Sequence, residues 1–256
     1  MRHNTMHANR RVVLLDELRG LSVLLMILYH GLYDLVFLFG IDFPFFSWPM
    51  QCLQLYICSS FILISGISSR FSRNNTKRGF LVLGIALAMT LVTCLFMPEQ
   101  RILFGILHFL GVAMILHDVF FRRRSKLLPD FWGALLHLCL FAFTWGVGSG
   151  YVGFFGLFKI PLPAFLYRLP FLFPLGLPAA GFFSSDYFPL FPWLFLFFAG
   201  SYIGNILRTG TLPLRYYRTR FAFLGWVGRR SLLLYVLHQP VIYGLLLLIS
   251  PLFLRS

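Results

Sequence analysis

The 256 residues are 59% hydrophobic and 19% aromatic but only 12% charged, about half the charge of an ordinary soluble domain. That composition excludes a water-soluble enzyme, a disordered chain and a nucleic-acid-binding module. The net charge of +14 is not gathered on a polyanion-binding face. Its basic residues fall in short clusters between long apolar runs, as loops of a multi-pass membrane protein do.

A helix needs about 20 residues to cross roughly 30 Å of hydrocarbon. Seven stretches qualify in chain order: 12–39, 47–69, 79–97, 102–120, 129–148, 187–207 and 230–250. The chain therefore reads as an all-α polytopic transmembrane bundle of about seven spans, one membrane domain over 1–256. The first stretch is a retained helix rather than a secretion signal, because Asp16, Glu17 and Arg19 interrupt its apolar region. Placing the N-terminus in the cytoplasm puts seventeen of the 22 basic residues inside. They are Arg2, Arg10 and Arg11; Arg70, Arg73, Lys77 and Arg78; Arg122, Arg123, Arg124 and Lys126; and Arg208, Arg215, Arg218, Arg220, Arg229 and Arg230. Arg101, Lys159, Arg168 and Arg255 fall outside, so the charge asymmetry predicts N-in, C-out. Residues 149–186 carry Pro161, Pro163, Pro170, Pro174 and Pro178, too many prolines for a regular spanning helix. A broken, partly re-entrant outer cover is expected there.

The first span, LDELRGLSVLLMILYHGLYDL, carries the strongest chemical signal. At 100° per residue, Asp16, Arg19, His30 and Asp34 share an arc of about 60°. Charged groups are costly in a membrane, so so narrow a stripe has to face protein or a water-filled groove, and it marks a candidate site. Asp34 lies one turn beyond His30, placed to hold and activate the imidazole as a general base. Asp16 and Arg19 either pair with each other or leave Arg19 facing an anion. Counted from Arg11, His30 lies roughly 28 Å along the helix, in the outer third of the bilayer.

Further polar groups share the outer half or centre of the membrane. MPEQRILFGILHFLG offers Glu99 and His108, GFFSSDYFPLFPW offers Asp186 and Tyr187, and RRSLLLYVLHQPVIYG offers His238 and Gln239. Pro240 is expected to kink or widen its helix beside His238. His117, Asp118 and His137 carry less; the first two abut a basic cluster and are expected at a solvated helix end. The cysteines, Cys52, Cys58, Cys94 and Cys139, show neither disulfide nor zinc spacing, so no metal is expected. No phosphate-binding glycine loop or serine-nucleophile elbow is present.

These residues carry a resemblance. LDELRGLSVLLMILYHGLYDL, FILISGISSRFSR, MPEQRILFGILHFLG, DYFPLFPWLFLFFAGSYIG and LGWVGRRSLLLYVLHQPV together resemble the heparan-alpha-glucosaminide N-acetyltransferase catalytic-domain family, as in a short bacterial member. The string from Asp16 to His30 is also similar to the first-helix LDxLRxLAxxxxxxxH pattern of the broader membrane acyltransferase superfamily. ILISG, ending at Ser65 and Gly66, is similar to that superfamily's second-helix Ser-Gly motif. The resemblance implies transfer of an acetyl or other acyl group from cytoplasmic acyl-CoA to an amine or hydroxyl of a glycan or lipid-linked sugar outside the cytoplasm. It implies His30 as the catalytic residue, which the spacing gives Asp34 as support, and a bacterial inner-membrane location among lipid. Arg19, Ser65 and Gly66 fall on the acyl-CoA side, and Glu99, His108, Asp186, Tyr187, His238 and Gln239 on the acceptor side. Direct transfer and a covalent acyl-histidine both stay open, as does a homo-oligomer. The alternatives are a small proton-coupled transporter or flippase using His30, Asp34 and Glu99 as a relay, and a structural partner in glycan assembly.

Overall fold

The computed structural model describes residues 12–37, 40–121, 129–154, 157–209, 213 and 216–253. Arg2, Arg10, Arg11, Arg122, Arg123, Arg124, Lys126, Arg215 and Arg255, which enter the charge asymmetry, lie outside these residues. The fold is all-α. Its helices are α1 (Val13–Phe37), α2 (Trp48–Ser69), α3 (Asn75–Phe96), α4 (Ile106–Phe121), α5 (Asp130–Phe143), α6 (Leu190–Thr209), α7 (Ala222–Arg229) and α8 (Ser231–Phe253). Six stretches among the described residues are long and apolar enough to cross a membrane, five of them on α1, α2, α3, α6 and α8, and one running from α5 to Ser149. The fourth expected span is shorter than its sequence suggests: α4 has 16 residues, about 24 Å against roughly 30 Å of hydrocarbon.

The reason lies in the preceding residues, which pair with the chain ahead of α6 instead of entering the helix. Ser185 N–H donates to the Arg101 carbonyl, Phe188 N–H to the Phe104 carbonyl, and Leu103 N–H to Ser184 Oγ. The proline-rich stretch holds no helix of spanning length among its described residues. It contains a two-residue antiparallel pair, β1 (Tyr151–Val152) with β2 (Ile160–Pro161), and short 3-10 turns at Ala164–Arg168 and Phe173–Leu175. α8 runs through Pro240 as one helix from Ser231 to Phe253.

The chain divides into two compact units, residues 1–64 with 211–256, and residues 65–210. The first unit contains an element that composition concealed. The arginine-rich stretch 208–230, expected to be loop, includes α7, a two-turn helix packed on α1. The contact is backbone to backbone: a Cβ on Gly20 would strike the Leu224 carbonyl, and one on Gly228 the Asp16 carbonyl. Glu17 locks the start of α7, its buried Oε1 accepting N–H bonds from Arg220 at 2.7 Å and Phe221 at 2.9 Å. These are donors left over at a helix N-terminus, where a carboxylate is also favoured by the helix dipole.

The second unit is held by α3 against α4, α5 against α6, and a buried polar knot. His117 and Asp118 are not at a solvated end. His117 is 4% exposed, with Nε2 against Ser201 Oγ at 2.9 Å and Nδ1 against Asn75 Nδ2 at 3.2 Å. Asp118 accepts from Thr76 N–H, Thr76 Oγ1 and Asn75 Nδ2 at 2.9–3.1 Å. The first turn of α3 thereby gains the acceptor its orphan donors require. Asp118→Ala leaves those donors without partners and is expected to cost about 2 kcal/mol or more, read as a lower melting temperature of the detergent-solubilised protein.

Candidate active site

Within the first unit the polar stripe of α1 turns toward α8. Asp34, 1% exposed, is gripped by Gln239, whose Nε2 lies 2.9 and 3.0 Å from the two carboxylate oxygens. The His30 ring lies 4.9 Å from the His238 ring, centre to centre, at 58°. So four residues read from the first and last spans, His30, Asp34, His238 and Gln239, form two cross-helix pairs, one turn apart on α1 and on adjacent residues of α8. The direct His30–Asp34 hydrogen bond expected from their spacing is not formed among the described residues. Asp34 turns both oxygens to Gln239, and the group beside His30 is another imidazole.

The two partners from α8 also have capacity to spare. Nδ1 of His238 lies 2.5 Å from the Tyr235 carbonyl, and a carbonyl accepts only, so Nδ1 carries the proton and Nε2 is a bare lone pair. Nε2 of His238 and Oε1 of Gln239 are both buried without a hydrogen-bond partner among the described residues. Unmet acceptors in a buried position are uncommon and costly. Tyr29 packs beside His30 with ring centres 6.0 Å apart, and Phe45 closes over Tyr29 at 4.9 Å. Deeper along α1, Arg19 Nη1 bonds Asp16 Oδ1 at 3.2 Å, the pairing that was one of its two expected arrangements.

The remaining candidates belong to the second unit, where most are engaged in holding the fold. His108 accepts the Gly105 N–H on Nδ1 at 3.2 Å, so its Nε2 proton points to Thr90 Oγ1 at 3.0 Å, and Thr90 passes its own proton to the Ile102 carbonyl. Both ring nitrogens are spent. Asp186 Oδ2 accepts the Ile106 N–H at 3.0 Å, capping α4. Tyr187 donates to the Phe173 carbonyl at 2.6 Å, and burial, with Tyr167 nearby, raises its phenol above the ordinary range, so it stays a donor. Gly66 lets α2 approach α6 so closely that a Cβ would strike the Phe197 carbonyl, and Ser65 precedes it, half-buried. Glu99 is exposed in the 3-10 turn Pro98–Gln100.

Reasoning from the sequence missed Glu17, Asn75 and Thr90. Glu17 lies about 100° around the helix from Asp16, off the stripe and toward α7. Asn75 and Thr90 are short polar residues whose partners come from α4 and the chain before it, and no local spacing announces that.

Six membrane-length stretches among the described residues, two of which bring together an imidazole pair and a buried carboxylate, fit a multi-pass membrane protein. Over residues 11–240 the chain matches the family described as heparan-alpha-glucosaminide N-acetyltransferase, catalytic, and it belongs to that family. Membership implies an acetyltransferase. No curated protein and no solved structure matches the chain significantly.

Proposed function

We propose that the protein is an acyl-CoA-dependent membrane acyltransferase, moving an acetyl group from cytoplasmic acetyl-CoA to an amine or hydroxyl of a glycan or cell-envelope acceptor outside the cytoplasm of a bacterial inner membrane. The observation that carries this reading is the His30–His238 pair beside the Asp34–Gln239 clasp, within a chain of this family. His30 is the base: partly buried and without a hydrogen bond to Asp34, its ring is the imidazole not committed to the fold. Asp34 acts through Gln239, fixing α8 against α1 at the level of the site. The inner arginines favour the CoA phosphates; the N-terminus faces the cytoplasm, as the basic loops favour. Thioester and acceptor meet at His30, the acceptor losing its proton as its bond to the carbonyl carbon forms and the carbon–sulfur bond breaks.

The reading is tested by free-CoA release from acetyl-CoA by the purified protein in detergent, with glucosamine as acceptor and equilibrium binding of acetyl-CoA measured on the same sample. Acceptor-dependent CoA release is expected. A protein that neither binds acetyl-CoA nor releases CoA is not a transferase, and a proton-coupled transporter becomes the account of the same polar stripe.

A further inference from the structure

Of the five described histidines in the helices, His108 has both nitrogens bonded and His117 has both against polar partners, while His137 bonds the Gly133 carbonyl. His238 differs. The Tyr235 carbonyl fixes its proton on Nδ1, and its basic Nε2 is shielded from water with nothing to accept. A bare imidazole lone pair on a ring 4.9 Å, centre to centre, from that of His30 is the kind of acceptor that a working base needs behind it. Asp34 does not fill that place: its carboxylate bonds Gln239 and not the His30 ring.

We propose that His238 is the proton partner of His30, the position usually held by a carboxylate in a histidine-centred site. The proposal rests on the transferase reading above. As the acceptor's nitrogen or oxygen bonds to the acyl carbon and the carbon–sulfur bond breaks, the acceptor's proton passes to His30. His30 yields its other ring proton to Nε2 of His238, so the positive charge is shared over two rings. The proton then returns along the pair to the departing thiolate, leaving CoA thiol and two neutral imidazoles. The Tyr235 carbonyl holds the Nδ1 proton throughout, so Nε2 alone gains and loses the transferred one. His238 acts through His30 and is a positioning residue with a proton-accepting function.

The test compares wild type with His238→Gln, whose amide can still donate toward Tyr235 but cannot take a proton. Transfer is measured with glucosamine and with O-methylhydroxylamine, a small nucleophile that is unprotonated at neutral pH and sheds its proton to water readily once it has attacked. The expected result is a loss in kcat/KM of about 100-fold with glucosamine and of less than about 10-fold with O-methylhydroxylamine, with acetyl-CoA affinity unchanged. Equal losses with both nucleophiles, or full activity of the variant, overturn the proposal. A wild type that transfers to neither acceptor overturns the transferase reading itself, and the two failures are thereby distinguished.

Discussion

His30→Ala lowers acetyl transfer by about 10²–10⁴-fold, the usual worth of a positioned histidine base, while the melting temperature of the purified protein stays within a few degrees of wild type. The second half of that result comes from the structure. The His30 ring is only partly buried, its neighbours among the described residues are rings rather than hydrogen-bond partners, and its removal strands no buried donor or acceptor among them. His108→Ala is the contrasting substitution: it strips a partner from the Gly105 N–H and another from Thr90, so its damage appears in stability. A His30→Ala protein that melts early, or that keeps its rate, contradicts the assignment of His30 as the base.

Gly228→Ala is expected to destabilise the protein by about 3 kcal/mol, whereas Gly84→Ala is neutral or stabilising by up to about 1 kcal/mol. The substitution is the same and both glycines are helical, so propensity favours alanine equally at each. At Gly84 the space around a new Cβ is open. At Gly228 the methyl would run into the Asp16 carbonyl, with the Gly20 N–H only 3.0 Å away. Neither is the flexible end of a side chain, so α7 has to move off α1 and drag the Glu17 bonds to Arg220 and Phe221 with it. Thermal melting of the two variants in one detergent reads the difference. Matching curves would mean that α1 and α7 do not meet as closely as described.

The helical class and six of the seven expected membrane-length stretches were legible because hydrocarbon thickness sets a length that apolar runs either reach or miss. The limits of that logic show at α4. Its apolar run is long enough, but Arg101–Phe104 pairs with the chain around Phe183–Phe188, a choice made by distant residues. α7 was hidden for the opposite reason, being a two-turn helix set among arginines whose packing relies on two glycines 208 positions apart in Gly20 and Gly228. The stripe of α1 was legible from helical phase alone, and it does face protein. Its pairing was not. Phase places Asp34 above His30, but only the approach of α8 decides that Gln239 takes the carboxylate and His238 meets the imidazole. Asp186 shows the same limit: an acid at the mouth of a span reads as a site residue, and the structure makes it the cap of α4.

The most direct measurement is transfer of a deuterated acetyl group. Wild-type and His30→Ala proteins, reconstituted in liposomes, are given acetyl-d3-CoA and glucosamine, and the acetylated product is quantified by mass spectrometry. Deuterated product is expected from wild type, with a fall of about 10²-fold or more in the variant. Equal product from both proteins, or none from a wild type shown to bind acetyl-CoA, would contradict the proposed function.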